Sequence, residues 1–511
     1  MCRQFSGMAA VSQDFLTHSP SAGRERFFGA HPLLVAMLFQ IALWSVGPAL
    51  LFGNLHTDTL EAAYWGREWA LAYSKHPPVT SWMMDLALRT GLPAIFALML
   101  LAQACVAVAA LFIWKTVRLF ASRETAAFAV LVFAASPAST IYAIQINHNL
   151  TLAPFWAATI YFGLLYLEER RWVDAIILGV VAGGGMLTQY EILCALATLF
   201  IIGALAPRFR AAFHHPASYV SGLIFILILL PHLLWLRSHG WSSVSRALGT
   251  QKINDLALLN TSAVNLLVAC FTLFIVPAVL LFATSRRREG DGLTLAPYHR
   301  LIGACLCLAP LAILIAGALA TFQVIKPLWV LPLSATAAMG LAILFPAGEY
   351  GQGQSVGATG RLMMIASAVI FGCLAVYLTV ASTIGKPLTA YSIDTRRLAR
   401  DTLAYWRGYS DQPLRCIIIA ERKIGPSGIL WLPDYPLIVE GGLGKPMPAA
   451  CEASGAVAVY TQDARAGLAD FPGLCAARQT VPLRTMPPIG RTSMIVELGL
   501  VPPPGAACPA P

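Results

Sequence analysis

Apolar runs of roughly 20 residues recur through the first 384 positions of this 511-residue chain. The runs lie approximately at 31–53, 92–114, 126–143, 150–167, 173–189, 191–206, 217–236, 263–284, 301–320, 328–346 and 362–384. An α-helix of about 20 apolar residues crosses the hydrocarbon core of a bilayer, and a soluble core does not need so many of them. Charged residues make up 12% of the chain, about half the usual fraction for a soluble domain. The sequence predicts an α-helical polytopic membrane protein with about eleven transmembrane helices.

Lys and Arg are distributed unequally between the two sets of loops. The N-terminal segment and alternate loops hold fifteen, whereas the opposite loops hold seven over longer segments. Because cytoplasmic loops carry the excess of Lys and Arg, the N-terminus is predicted to be cytoplasmic. An odd number of spans then places the first loop, 54–91, and the C-terminus on the outer face of the membrane. Residues 1–30 lack the apolar core and cleavage site of a signal peptide and are predicted to be a cytoplasmic tail. The basic residues are scattered, so the net charge of +10 does not indicate a nucleic-acid partner.

The chain changes character after about residue 385, where the long apolar runs stop. Residues 394–409 have helical spacing, and short β-branched runs bounded by turn residues follow at 416–420, 435–440 and 456–461. We therefore predict a small extracytoplasmic α/β domain over 391–500, after a transmembrane domain over 31–390. The final segment, 501–511, is rich in Pro and Gly and is predicted to be disordered.

Four cysteines, Cys416, Cys451, Cys475 and Cys508, fall in this outer domain, where an oxidising environment permits disulfides. Sequence alone does not determine the pairing, and Cys451 with Cys475 is the pair that we favour. The chain has no CxxC…CxxC or HExxH pattern, so no protein-built zinc site is predicted.

The first outer loop carries many ionisable residues, as few other stretches of the chain do, between His56 and Pro78. Asp58 and Glu61 fit the first turn of a helix that Thr57 or Asp58 would cap. Aromatic residues on the following turns suit an amphipathic helix lying at the membrane surface. The simpler interpretation is that the two carboxylates are solvated loop acids.

Lys75 and His76 precede two prolines, which stop one helix and open the next. They would therefore lie near a helix N-terminus, which favours bound anions such as phosphate. The alternative is a Pro-Pro turn with two solvated cations.

These motifs resemble the glycosyltransferase family 39 group of GT-C-fold enzymes, which includes protein O-mannosyltransferases and the lipid A aminoarabinose transferase. The resemblance depends on Asp58-x-x-Glu61 and on the KHPP step within 73–78. Two later segments, 145–156 and 183–190, are similar to the second outer loop and to the glycine-rich helix of the group. The resemblance covers roughly residues 30–390 in topology, and its specific motifs lie in the first half of the chain.

The resemblance implies an inverting transfer of a sugar from a polyprenyl-phosphate donor to a lipid (lipid A-like), glycan or protein acceptor. Asp58 would be the general base, assisted by Glu61 on the acceptor side, and Lys75 with His76 would hold the donor phosphate. The chemistry is consistent, because polyprenyl phosphate leaves as an anion that cations stabilise, and one carboxylate base suffices. The residues expected to line the pocket are Tyr64, Arg67, His148, Asn149, Gln189 and Tyr190.

Two positions depart from the pattern of the family. Asn149 replaces a carboxylate and Gln189 replaces a lysine, so a second acid and a further cation are missing. Lys326 is our preferred additional phosphate ligand, with Arg246 and Lys252 as further candidates; Lys326 alternatively snorkels at the interface. No metal site is assigned, and a divalent metal is the one cofactor left open.

Two other functions compete with sugar transfer. A transporter or flippase of lipid-linked sugar should have paired broken helices and charges in the middle of several spans, whereas here the polar groups gather at one face. A degenerate, non-catalytic relative would explain Asn149 and Gln189, but the intact Asp58 and KHPP step argue against it. The sugar and the acceptor are not determined by the sequence.

Overall fold

The computed structural model describes residues 31–508 with internal gaps. The residues left out inside that range are 242, 246–252, 254, 276–296, 347–355, 384–389, 421–423, 425, 433–435, 441–447, 462–472, 476–477 and 485–491. The predicted cytoplasmic tail, 1–30, lies outside the described residues.

Helices dominate the first 383 residues. They are α1 (His31–Leu51), α2 (Thr57–Gly66), α3 (Val79–Leu88), α4 (Ala94–Arg118), α5 (Arg123–Ala134), α6 (His148–Glu169), α7 (Trp172–Met186), α8 (Ile192–Leu205), α9 (Arg210–Phe213), α10 (Pro216–Ser238), α11 (Leu256–Cys270), α12 (Pro297–Ala320), α13 (Leu333–Leu344) and α14 (Val356–Thr383). Apart from α2, α3 and the single-turn α9, each overlaps one predicted apolar run.

The predicted count of eleven transmembrane helices is not confirmed. Within the described residues six helices, α1, α4, α6, α10, α12 and α14, are long and apolar enough to cross a membrane, and α8 with α9 would make a seventh. The other apolar helices are shorter because polar or proline breaks end them. For example, α5 has 12 residues and stops just before Ser136 and Pro137. Twelve helical residues extend about 18 Å, well short of the hydrocarbon core.

Close helix contacts build the interior of the helical domain. Helix α1 packs against α4 and α14, α6 against α4 and α7, and α12 against α13. The indole N–H of Trp44 in α1 donates to Ser367 Oγ in α14 over 2.9 Å. Small residues let neighbouring helices approach closely, as at Gly184, where an added Cβ would lie 2.7 Å from the ring of Phe155.

The two short helices of the first loop lie together at one end of the helical domain. Helices α2 and α3 pack against each other, and α3 also contacts α4. The N–H of Val79, at the start of α3, donates to the carbonyl of Leu187 over 3.0 Å. The Thr80 hydroxyl lies 2.6 Å from that of Thr151. The loop is thereby fixed against the start of α6 and the segment between α7 and α8.

The C-terminal part of the chain forms a small domain around one sheet. Helix α15 (Thr395–Arg407) precedes five strands, β1 (Cys416–Ile419), β2 (Leu437–Glu440), β3 (Ala456–Tyr460), β4 (Arg478–Arg484) and β5 (Thr492–Val501), with short helices α16 (Gly428–Trp431) and α17 (Ala449–Ser454) between them. The sheet order is β2-β1-β3-β5-β4, with β1 parallel to β2 and β3, and β5 antiparallel to β3 and β4. The predicted helix and the three predicted strands are present.

The disulfide pairing that we favoured is wrong. Cys416 is bonded to Cys451, and Cys475 to Cys508, with Cα–Cα distances of 5.4 and 5.5 Å. The reason is topological, because α17 carries Cys451 to the start of β1, where Cys416 lies. The segment that we predicted to be disordered begins at Val501, the last residue of β5, and residues 502–508 bring Cys508 back to Cys475. Residues 509–511 lie outside the described part of the chain.

The C-terminal domain is docked on the first loop. The N–H of Gly53 donates to the carbonyl of Tyr391 over 2.9 Å, and the Thr395 hydroxyl donates to the carbonyl of Gly53 over 2.8 Å. Leu430 of α16 belongs to the apolar core of the helical domain rather than to that of its own sheet. Main-chain hydrogen bonds and apolar burial therefore both join the two domains.

Candidate functional site

Helix α2 presents Asp58 to solvent at its first turn. His56 caps this helix, since its Nδ1 accepts from the Asp58 N–H over 3.3 Å. The next residue, Thr59, is buried, and its hydroxyl donates to the carbonyl of Ile146 over 2.9 Å. Because neighbouring helical side chains point in different directions, this anchoring turns Asp58 outward, with 57% of its side chain exposed. The carboxylate is therefore accessible to an incoming hydroxyl group.

Glu61 and Lys75 form a two-pronged ion pair one turn further along α2. Lys75 Nζ lies 2.8 Å from Glu61 Oε1 and 2.6 Å from Oε2. The ammonium also lies 5.7 Å from the centroid of the Trp65 ring, and Trp65 stacks on Tyr73. The pair is partly buried, with 26% of the lysine and 12% of the glutamate side chain exposed. The structure thus joins two residues that the sequence assigned to opposite sides of the reaction.

His76 stacks on His148, the first residue of α6, with ring centroids 3.8 Å apart. His148 is buried, and its Nε2 has no hydrogen-bond partner among the described residues. Asn147 caps α6 by accepting from the N–H groups of Asn149 and Leu150. The cap fixes His148 at the helix N-terminus, where anions are favoured.

The two residues that depart from the family pattern face each other. Gln189 Nε2 donates to Asn149 Oδ1 over 3.5 Å, a long contact, and Asn149 is buried. Neither side chain carries a charge, so this part of the site supplies neither acid nor cation. What it offers is a pair of amides that can hydrogen-bond to hydroxyl groups.

A hydrogen-bonded chain next to these amides holds the first loop in place. His232 Nδ1 lies 2.8 Å from the carbonyl of Leu71, and its Nε2 lies 3.0 Å from the Tyr190 hydroxyl. A carbonyl only accepts, so the Nδ1 N–H of His232 donates to Leu71, and the Tyr190 hydroxyl also lies 2.9 Å from Ser243 Oγ. The bond to Leu71 ties helix α10 to the first loop.

Three predicted site residues lie away from the contacts between Glu61, Lys75, His76 and His148. The Tyr64 hydroxyl accepts from the N–H of Ile438 in β2, 3.2 Å away, and so contacts the C-terminal domain. Arg67 is half-buried just after α2. Lys326 is half-buried before the turn Pro327–Val330, and within the described part of the chain no hydrogen bond joins it to the Glu61–Lys75 pair. The further candidates Arg246 and Lys252 lie outside the described residues.

Burial perturbs the titratable groups of the first loop. It lowers the pKa of His56, an effect that the nearby Asp58 carboxylate partly opposes. It raises the pKa of Tyr64 and of Tyr73, so both phenols stay neutral at physiological pH. A neutral His56 can serve as the acceptor that caps α2.

Asp85 is a site residue that the sequence reasoning missed. It is buried, and its Oδ2 accepts from the Trp69 indole N–H over 2.7 Å and from Arg89 Nε over 2.6 Å. The bond to Trp69 restrains a residue with a left-handed backbone, φ 45°. The signal was a lone carboxylate inside the apolar stretch SWMMDLAL. Asp85 thus anchors the part of the loop that leads to Lys75.

No group of three or more His, Cys, Asp or Glu side chains positioned to bind a metal ion occurs among the described residues. Of the two carboxylates on α2, Glu61 is already bound by Lys75. The donor set does not fit a resident metal, and we derive no step through one.

Comparison with known proteins gives a family match over part of the chain and a similar fold. The chain matches the family described as dolichyl-phosphate-mannose-protein mannosyltransferase over residues 75–235, which contain Lys75, His76, His148 and the Asn149–Gln189 pair. The crystal structure of ArnT from Cupriavidus metallidurans bound to undecaprenyl phosphate superposes with a TM-score of 0.56, covering 92% of this chain and 97% of that one at 11% identity. The chain is a GT-C-fold protein resembling glycosyltransferase family 39.

Two curated relatives of this GT-C protein come from Rhizobium johnstonii. The lipid A galacturonosyltransferase RgtD is 25% identical over 195 residues, which are 37% of this chain and 40% of the relative. The lipopolysaccharide core galacturonosyltransferase RgtB is 24% identical over 210 residues, 40% of this chain and 42% of the relative. The matched part thus spans well under half of each relative. The predicted GT-C architecture with a small C-terminal sheet domain is confirmed.

Proposed function

We propose that this protein is an inverting membrane glycosyltransferase. It transfers a sugar from a polyprenyl-phosphate donor to an acceptor hydroxyl at the outer face of a bacterial cytoplasmic membrane. The observation that carries the proposal is the arrangement on the first loop, where the exposed Asp58 lies one helical turn from Glu61, which binds the Lys75 ammonium. This loop follows the first membrane helix directly, within reach of a lipid-linked substrate.

Asp58 is the general base in this proposal. Its carboxylate takes the proton of the acceptor hydroxyl as that oxygen attacks the anomeric carbon from the side opposite the phosphate. The bond between the anomeric carbon and the phosphate oxygen breaks, and the configuration inverts. A positioned base contributes roughly 10²–10⁴-fold to such a step.

Lys75 and His76 stabilise the departing polyprenyl phosphate. A cation close to the phosphate oxygens neutralises the charge that develops there, so no strong general acid is needed. The Lys75 ammonium is bound by the Glu61 carboxylate before the donor arrives. The donor phosphate therefore replaces that carboxylate as the anion bound to Lys75. His148, stacked on His76, and the Asn149–Gln189 amides then contact the sugar or its phosphate.

The acceptor that we propose is a lipid A-like glycolipid, with a glycan or a protein as the other outcomes. The names of the two rhizobial relatives support a lipopolysaccharide acceptor, and the solved structure with undecaprenyl phosphate supports the donor class. In the proposed topology the N-terminus is cytoplasmic and the C-terminal domain lies outside, next to the site.

The test is a comparison of envelope glycolipids, by mass spectrometry, from cells that express the native chain, Asp58→Asn or no chain. The native chain should add one sugar mass to a glycolipid, and Asp58→Asn should reduce that product at least about 100-fold at equal membrane abundance. Glu68→Gln is the matched control, since Glu68 is exposed just after the same helix. Undiminished product from Asp58→Asn would remove Asp58 from the mechanism, and the absence of any product from the native chain would refute the proposed function.

A further inference from the structure

Two exposed arginines lie at the start of α15 without an ion-pair partner among the described residues. Arg396 and Arg400 are exposed and lie four residues apart, so they share one face of the helix. Arg397 pairs with Asp401 at 3.5 Å, but neither Arg396 nor Arg400 forms an ion pair with any described residue. Like charges at this spacing repel, and a cation in the first turn opposes the helix dipole. The arrangement therefore costs helix stability, which suggests another use.

Arg396 is held at the joint between the two domains. Its guanidinium lies 4.5 Å from the centroid of the Trp431 ring. The Trp431 indole N–H donates to Thr395 Oγ1 over 3.0 Å, and the Thr395 hydroxyl donates to the carbonyl of Gly53 over 2.8 Å. Gly53 lies four residues before the first residue of α2. A continuous series of contacts thus leads from the guanidinium to the helix that carries Asp58.

Further contacts bring the same surface close to the candidate base. Helix α16, which ends in Trp431, packs against α2. Tyr391, four residues before Thr395, is buried, which raises the pKa of its hydroxyl, and the negative charge of Asp58 raises it further. Asp394 does not neutralise the arginines, because its Oδ1 accepts from the N–H groups of Arg396 and Arg397 as a helix cap. Helix α15 thus begins beside the segment that leads into α2, and Arg396 and Arg400 are exposed on its surface.

We propose that Arg396 and Arg400 bind a phosphate group of an anionic glycolipid acceptor and so orient its hydroxyl toward Asp58. The assignment rests on the proposed sugar transfer. Guanidinium groups bind phosphate through paired hydrogen bonds, and two of them on one helix face match one phosphate. The Asp58 carboxylate repels an anionic acceptor, so a separate cationic subsite is required to hold the phosphate while the neutral hydroxyl approaches the base.

The experiment measures transfer by the full chain in nanodiscs of zwitterionic phospholipid, with lipid A and phosphatase-treated lipid A as the two acceptors. The test variant is Arg396→Gln with Arg400→Gln. The control is Arg407→Gln on the same helix, whose guanidinium already donates to the carbonyls of Asp411 and Gln412. The double variant should raise KM for lipid A at least about tenfold, because the loss of even one charge-assisted contact is worth this much. The values of kcat and of the donor KM should stay within about twofold of the native chain. KM for the dephosphorylated acceptor should not change.

Each outcome decides one question. If the native chain transfers sugar but the double variant has the native KM for lipid A, the subsite is refuted while the proposed function stands. Equal losses with both acceptors would also refute it, because phosphate would then not be the group recognised. If the double variant differs from the native chain only in a second set of nanodiscs that contains anionic phospholipid, the arginines bind bulk lipid and the acceptor assignment is wrong. No transfer by the native chain to any acceptor refutes the proposed function instead.

Discussion

The Glu61–Lys75 pair predicts that one mutation of a site residue increases the affinity for the donor, whereas such mutations usually decrease it. If the Glu61 carboxylate occupies the position of the donor phosphate, Glu61→Gln should strengthen donor binding. The glutamine keeps the size of the side chain and removes the competing charge. Lys75→Met, in contrast, should weaken donor binding, because it removes the cation that both anions use.

The geometry gives the size of the effect. Both carboxylate oxygens lie within 2.8 Å of Lys75 Nζ, and both side chains are partly exposed, at 26% and 12%. The gross attraction is about 6 kcal/mol at this distance and an effective dielectric constant of about 20. Desolvation and partial solvent screening reduce the net value to about 1–2 kcal/mol. Since 1.4 kcal/mol corresponds to a factor of ten, Kd for polyprenyl phosphate should fall about tenfold.

The assay is equilibrium binding of a fluorescent polyprenyl phosphate to the purified full chain in nanodiscs, with thermal unfolding as a second measurement. Without ligand, Glu61→Gln should have the lower Tm, because Lys75 is left unpaired, and polyprenyl phosphate should raise its Tm more than that of the native chain. Glu68→Gln should behave like the native chain in both measurements. A folded Glu61→Gln protein with native or weaker donor affinity would refute the idea that Glu61 competes with the phosphate.

Two further predictions concern histidines of the site. The pKa of His56 is lowered by burial, so the folded state binds its proton less readily than the unfolded state does; stability should be complete above about pH 6.5 and decrease as the pH falls below it. His56→Asn keeps a capping acceptor and should remove this pH dependence, whereas His56→Ala should lower the free energy of unfolding by about 1 kcal/mol at pH 7.5. Calorimetry at pH 7.5 and at a pH below about 6.5 distinguishes the two variants. His232→Phe should leave the Leu71 carbonyl and the Tyr190 hydroxyl without their partner, which costs about 1–3 kcal/mol, and should make residues 67–78 more susceptible to limited proteolysis. Protection of that segment equal to native would show that the histidine does not hold the loop.

The sequence predicted the fold class because membrane helices carry a strong, local hydropathy signal. It did not predict their lengths, since the end of α5 depends on one Ser136–Pro137 step, and the bend of 106° between α8 and α9 depends on Pro207. Cysteine pairing failed for a related reason. The partner of Cys451 is set by which strands become neighbours in the sheet, and that order is not local in sequence.

The sequence nominated individual side chains for the candidate site but did not predict which of them contact each other. Lys75 and His76 appeared as two available cations, yet their partners Glu61 and His148 are brought to them by the loop break and by the packing of α6. Residue type and spacing identify groups with suitable chemistry. They do not show which of those groups already neutralise or stack on one another, because that depends on backbone turns such as the left-handed Trp69.

The docking of the C-terminal domain on Gly53 and Tyr64 has a consequence for protein engineering. A shortened chain that ends before Tyr391 would lose two hydrogen bonds, from the Gly53 N–H to the Tyr391 carbonyl and from the Ile438 N–H to the Tyr64 hydroxyl. It would also lose the Leu430 side chain from the apolar core of the helical domain. A chimera that exchanges this domain with that of a relative would need to exchange residues 52–66 as well. The unit to transplant is the sheet domain together with the loop beneath it.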